Sequence, residues 1–179
     1  MKDIFSTKER IAILKAVIFK EEGISVNSIA KQLKLSKGLV SKYFSILLKE
    51  NILRKSDNKL AVADSPSVKG IKILLNLEGI DYKAFKKYPF VISAGLYGSC
   101  AKGENTEESD VDLWVRVKEA SEKELASLTA ILRKKIRKVK PIILTDSKIE
   151  KLMKEDVLFY HSLAFGSIIL YGDKNGVQL

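Results

Sequence analysis

Apolar side chains recur at helical spacing through the first fifty residues. They then give way to short alternating runs, and later to a second series of extended and helical stretches. Ile11, Leu14 and Ile18 form the stripe of a first helix. Ser6-Thr7-Lys8-Glu9 ahead of it has capping-box spacing, in which Ser6 and Glu9 satisfy each other's free backbone N–H groups. Gly23 suits the left-handed residue that closes such a helix. A second helix is predicted from Ser25 to Leu33, with Val26, Ile29, Ala30 and Leu33 inward. A third opens at the N-cap Ser36 and buries Val40, Phe44, Leu47 and Leu48, at i, i+4, i+7 and i+8. Ile52 to Arg54 and Lys59 to Val62 read as short strands joined at a turn over Asp57-Asn58.

Asp64-Ser65-Pro66-Ser67 marks a boundary. Ser65 caps a helix there and Pro66 takes its first position, with Val68, Ile71, Leu74 and Leu75 as the buried face. One more turn is predicted from Tyr82 to Lys87, before Pro89. Beyond it lie a strand from Phe90 to Leu96, another from Val111 to Val117, and a second capping box at Ser121-Glu122-Lys123-Glu124. That box opens a helix with Leu125, Leu128, Ile131, Leu132 and Ile136 inward. A strand from Pro141 to Thr145, a helix from Lys148 to Leu163 and a strand from Ser167 to Tyr171 complete the series. Strands separated by helices predict an α+β class with a mixed sheet flanked by helices. The expected domains are 1–64, a helical linker 65–88, and 89–179.

Composition narrows the class. With 46% apolar and 30% charged residues among 179, the chain is neither disordered nor fibrous. No apolar run approaches the roughly 18 residues that span a bilayer. The opening residues turn charged and amphipathic too early for a secretory signal. Cys100 is the single cysteine and His161 the single histidine, which excludes an internal disulfide and a Cys- or His-rich metal centre. The expected setting is cytoplasmic, with no membrane partner. The net charge of +10 is unevenly spread: residues 1–63 carry 13 Lys/Arg against 6 Asp/Glu. Such an excess suits a module that meets phosphate backbones.

Two short helices about a tight turn, followed by a basic hairpin, resemble a winged helix-turn-helix over residues 6–63. The resemblance implies that the third helix enters the major groove of double-stranded DNA. Off its apolar stripe lie Ser36, Lys37, Gly38, Ser41, Lys42 and Tyr43. Arg54, Lys55 and Lys59 would sit on the wing. The DNA-binding set is then Ser36, Lys37, Ser41, Lys42, Tyr43, Arg54, Lys55 and Lys59. Modules of this type often act as homodimers on two half-sites. The same lysines also suit a solvated face, with the module docking a protein instead.

The chemistry-bearing stretch runs from Gly95 through Gly98-Ser99-Cys100 to Asp110-Val111-Asp112. Gly98-Ser99 falls where an apolar strand ends and a helical turn begins, so free N–H groups and a small residue meet there, a setting that admits phosphate. Asp110 and Asp112, two apart on a strand, project from one face. Paired carboxylates call for a cation, and Mg²⁺ (or Mn²⁺) shared with a nucleotide is the natural occupant. A phosphate cradle beside a carboxylate pair is the equipment of metal-assisted phosphoryl transfer.

Gly-Ser, ten residues, then Asp-x-Asp is similar to the DNA polymerase β-like nucleotidyltransferases, in their minimal branch, over residues 88–146. Gly103 and Ser109 also suit that branch. The resemblance implies that Gly98 and Ser99 hold the triphosphate and that Asp110 and Asp112 bind divalent metal and carry catalysis. Lys102 is a further candidate nucleotide-binding residue. The family usually adds a third carboxylate on the next strand, which here reads Val139-Lys140-Pro141-Ile142-Ile143-Leu144-Thr145 and holds no acid. Asp146 lies just beyond, either as that third catalytic acid or at the start of a helix whose own capping-box pattern is Ser147-Lys148-Ile149-Glu150. Cys100 and His161 read as packing residues, and Glu104, Glu107 and Glu108 as a solvated loop.

Two functions follow. One is an Mg²⁺-dependent enzyme that moves a nucleoside monophosphate from an NTP, expected to be ATP, to a hydroxyl. A protein acceptor fits the antitoxin roles of small members of the branch, with a toxin-like partner. The other is a DNA-binding regulator whose sheet domain holds nucleotide without turnover.

Overall fold

A computed structural model describes residues 2–56 and 59–172. The chain divides into two units, Met1–Leu75 with Asn105–Glu108, and Asn76–Glu104 with Ser109–Leu179. Among the described residues no helix is long and apolar enough to cross a membrane.

The first unit holds α1 (Lys8–Val17), α2 (Val26–Leu33) and α3 (Lys37–Lys49), then a two-stranded antiparallel ribbon of β1 (Leu53–Ser56) and β2 (Lys59–Val62). The turn expected at Asp57-Asn58 lies outside the described residues. Helix α4 (Pro66–Glu78) follows, its residues through Leu75 belonging to this unit. Ile13, Leu14, Val17, Ile29, Val40, Phe44, Leu47, Val68 and Ile71 build one core. Ile24 also bridges to Leu60, which extends the ribbon by one pairing. Ser25, Ser36 and Ser65 each accept the backbone N–H three residues on, at 3.1 to 3.3 Å. The first cap differs from the expected one by a residue. Thr7 Oγ1 accepts the Arg10 N–H at 3.3 Å, because Ser6 Oγ is taken by the Arg10 guanidinium at 2.8 Å. Helix α1 closes at Val17, and Gly23, with φ +71°, shapes the loop after it. Leu74, expected inward, is 59% exposed, since the α4 stripe that reaches the core is Val68 and Ile71.

The second unit is built on a four-stranded sheet in the order β5-β4-β3-β6. A 3₁₀ turn (Tyr82–Lys87) leads to β3 (Val91–Leu96), α5 (Gly98–Lys102) and β4 (Val111–Val117). Helix α6 (Glu122–Lys135), β5 (Val139–Leu144), α7 (Asp146–Glu155), α8 (Val157–Gly166) and β6 (Ile168–Tyr171) complete it. β4 and β5 are parallel and the other pairings antiparallel, so the sheet is mixed and flanked by helices, as expected. Alternation along β4 sorts its side chains. Leu113, Val115 and Val117 pack with Leu128 and Leu132 of α6, while Trp114 packs with Leu144, Ile149 and Leu163. The capping box at Ser121 and Glu124 forms in both directions.

Two expectations change here. β5 begins at Val139, two residues before Pro141: it is an edge strand, where a missing N–H costs no ladder bond. The single helix predicted from Lys148 to Leu163 is two. Asp156, with φ −139° and ψ 66°, breaks it and caps α8 by accepting the Phe159 N–H at 3.1 Å.

Candidate active site

The corner after β3 is set by close approach. Gly95 lies opposite Trp114, and a Cβ there would stand 2.5 Å from the indole carbons. Leu96 pairs with Leu113, and the Tyr97 N–H donates to the Asp112 carbonyl at 3.0 Å, so the two strands stay in register up to the turn. Gly98 then takes φ +66°, a conformation that favours glycine. A Cβ on Gly98 would overlap Asp112 Oδ2 and stand 3.2 Å from Asp112 Cγ. The Asp112 carboxylate therefore rests against the bare backbone of the Gly-Ser corner. Ser99 is half-buried in the first turn of α5, where N–H groups have no intrahelical acceptor. Gly103, at φ 69°, ends α5, and the Glu104 N–H returns to the Ser99 carbonyl at 2.9 Å.

Asp110 and Asp112 meet a third charged group. β4 and β5 pair so that Asp112 lies opposite Lys140, and Lys140 Nζ stands 2.6 Å from Asp110 Oδ2. Burial, with the neighbouring Asp110 charge added, pushes the Asp112 carboxyl above its ordinary value, and Lys140 works against that rise. The hydrogen bond to Asp110 raises the Lys140 ammonium in turn. Tyr97 and Cys100 feel the same surroundings. Burial first and Asp112 second lift the phenol to about 12 and the thiol to about 11. Cys100 Sγ lies 3.4 Å from the Asp110 carbonyl, so the thiol is a packed neutral group, as expected.

The structure brings Gly98, Ser99, Asp110 and Asp112 together and leaves Asp146 elsewhere. Arg116 pairs with Leu144 four residues beyond the Asp112–Lys140 pairing, about 13 Å along the strand. Asp146 sits past that point, 70% exposed, and accepts Arg116 Nη2 at 3.0 Å. It opens α7 as a helix-start acid. The cap itself is Thr145, which accepts the Lys148 N–H at 3.3 Å in place of the Ser147 pattern. The catalytic assignment of Asp146 is thus corrected by distance and by its guanidinium partner. Lys102 is exposed at the far end of α5. Glu107 belongs to the first unit, where its carboxylate takes Lys20 Nζ at 3.2 Å.

On α3, Lys37, Gly38, Ser41 and Lys42 are exposed, as are Arg54 and Lys55 of β1 and Lys59 of β2. Ser36 is exposed with its hydroxyl committed to the cap. Tyr43 is a correction. It is 1% exposed and its hydroxyl donates to the Ile4 carbonyl at 2.9 Å, so it is a core residue and has no free face for DNA. The missed residue is Lys140. Its signal was its place on the strand after the aspartate pair, but only the β4/β5 register sets it opposite Asp112.

The nucleotidyltransferase domain family matches residues 82–164, a span that includes the Gly98 corner, the aspartate pair and Lys140. The chain carries a nucleotidyltransferase-type domain. No curated protein matches it. Among solved structures, a candidate nucleotidyltransferase from Sulfolobus solfataricus is similar at 16% identity and TM-score 0.38, covering 60% of this chain and 86% of its own. A toxin–antitoxin structure with AMP-PNP is similar at 17% identity and TM-score 0.35, covering 63% and 78%. Nucleotidyltransferases of this kind typically use an NTP and a divalent metal. The donor set here fits one hard ion shared with phosphates, because Asp110 and Asp112 supply oxygen beside a corner a Cβ would fill. Among the described residues no group of three or more His, Cys, Asp or Glu side chains forms a metal cage.

Proposed function

We propose that the nucleotidyltransferase domain moves a nucleoside monophosphate from an NTP, with ATP as the first candidate, to a hydroxyl, a protein side chain being the favoured acceptor. The observation that carries this is the Asp112 carboxylate lying against the bare Gly98 backbone, which sets a carboxylate pair beside a phosphate corner. Gly98 and the Ser99 hydroxyl hold the triphosphate, with Lys102 available to its outer phosphates. Asp110 and Asp112 hold Mg²⁺, or Mn²⁺ in its place. When bound, the ion neutralises triphosphate charge and acidifies the acceptor hydroxyl. The acceptor hydroxyl gives its proton to solvent as its oxygen bonds to the α-phosphorus, while the bond from that phosphorus to the bridging oxygen breaks and pyrophosphate leaves with that oxygen. Tyr97 and the packed Cys100 keep one side of the corner dry.

Label from α-phosphate-labelled ATP, supplied with Mg²⁺ and cell extract, should pass to a macromolecule. Asp110→Asn with Asp112→Asn should cut that transfer by at least about a hundredfold, since positioning and charge neutralisation supply most of such catalysis. Undiminished transfer in the double variant would sink the assignment.

A second function is favoured by Lys140, because an ammonium rather than an acid faces Asp112. On that reading the domain binds nucleotide without turnover and the protein is a regulator. Either way, the first unit is proposed to be a winged helix-turn-helix that binds double-stranded DNA. Three helices, a two-stranded ribbon, and exposed Lys37, Ser41, Lys42, Arg54, Lys55 and Lys59 support this. Lys37→Ala with Lys42→Ala should weaken duplex binding and flatten the plot of log K against log salt by roughly two units, one for each lost phosphate contact. Fluorescence anisotropy across a salt series measures both. A slope unmoved by the pair of changes assigns α3 to another partner.

A further inference from the structure

The carboxylate pair comes with a cation supplied by the chain. Lys140 lies opposite Asp112 in the β4/β5 register, and its ammonium is bonded to Asp110 at 2.6 Å. Two carboxylates alone would present a charge of −2 to an arriving ion; with Lys140 they present −1. The ion must also take Asp110 from a partner already in place. That partner is easily moved. Its side chain is 67% exposed on a flexible four-carbon stem, and an exposed ion pair contributes little to stability.

We propose that Lys140 is a resident counter-ion of the Asp110–Asp112 pair, competing with a divalent ion for Asp110, so that metal enters together with the triphosphate. On entry the ammonium leaves Asp110 and turns to the incoming phosphates, which carry enough negative charge for both cations. Metal and nucleotide therefore bind with positive coupling, and the nucleotide-free protein holds metal weakly. This inference rests on the nucleotidyltransferase assignment and specifies how that site is regulated.

Mn²⁺ titration followed by electron paramagnetic resonance, without nucleotide, tests it on the full chain. Lys140→Ala should bind Mn²⁺ roughly three- to tenfold more tightly than the unchanged protein, the effect of removing one exposed positive charge a few ångströms from a dication. Lys140→Glu should bind more tightly still. In an Asp110→Asn background, Lys140→Ala should gain less than in the unchanged protein, because the competition for Asp110 is gone and only the repulsion between ammonium and ion remains. A non-hydrolysable ATP analogue should tighten Mn²⁺ more in the unchanged protein than in Lys140→Ala, narrowing the gap. Equal Mn²⁺ affinity in the unchanged protein and Lys140→Ala overturns the role of Lys140 while leaving the metal site intact. Failure of every variant to bind Mn²⁺, Lys140→Glu included, overturns the metal assignment and this inference with it. A gap that the analogue leaves unchanged overturns the coupling.

Discussion

Gly98→Ala should lower affinity for Mg²⁺ and a non-hydrolysable ATP analogue by at least about a hundredfold, while the protein still folds. Two effects act on one atom. Gly98 has φ +66°, where an L-residue carries a cost of about 1–2 kcal/mol. The added methyl would also overlap Asp112 Oδ2, so the carboxylate must turn away from the corner. Phosphate loses its close approach to the backbone, and the metal loses one of its two acidic ligands. Stability should fall by about 1–3 kcal/mol, the range for local strain of this kind. Gly38→Ala supplies the contrast. A Cβ added there would meet nothing within 4 Å and its φ is not positive, so that change should be neutral or slightly stabilising. Calorimetric titration and denaturant melts read both quantities. Unchanged analogue affinity in Gly98→Ala would refute the close-approach model of the corner.

What was legible in the chain follows from what is local. The Ser36, Ser65 and Ser121 caps, most of the helix stripes and the alternation of β4 depend on residues within a turn of one another, and they formed as expected. The Gly98-Ser99 to Asp110-x-Asp112 juxtaposition was legible too, because one tight antiparallel pairing brings the two segments together. The departures are of two kinds, one set by a partner distant in sequence and one by a competing side chain a turn away. Tyr43 looked like an exposed helix residue until the Ile4 carbonyl, thirty-nine positions earlier, took its hydroxyl. Thr7 replaced Ser6 as a cap because Arg10 claimed Ser6.

Lys140 shows the same limit inside the site. Its strand was visible, but which side chain faces Asp112 depends on the parallel register of β4 with β5, a long-range pairing carried by no local pattern. The same register moves Asp146 away. A residue six positions after Lys140 lies near Arg116, whereas proximity in sequence had suggested the carboxylate pair. The register thus has a physical consequence: an ammonium faces the aspartate pair, and the centre carries −1 in place of −2.

Trp114→Ala should be the most destabilising single change in the second unit. The side chain is fully buried among Leu144, Ile149 and Leu163, and its indole N–H donates to Ser167 Oγ at 2.8 Å. Truncating such a residue costs about 3–5 kcal/mol, a large share of a domain's total stability. Trp114→Phe keeps most of the packing and loses the hydrogen bond, so it should cost about 1–2 kcal/mol and remain foldable for comparison. Gly95 turns this into a test of packing itself. Its missing Cβ is what leaves room for the indole, so Gly95→Ala should cost about 1–3 kcal/mol with Trp114 in place. With Trp114→Ala that clash disappears, and Gly95→Ala should cost little or even fill part of the cavity. A coupling of about 0.5–3 kcal/mol between the two positions is the expected result of the double-variant cycle by denaturant melts. Strict additivity would mean that the indole does not press on Gly95. Asp112 stands two residues before Trp114 on the same strand, so the packing that holds the indole also fixes the carboxylate that the chemistry needs.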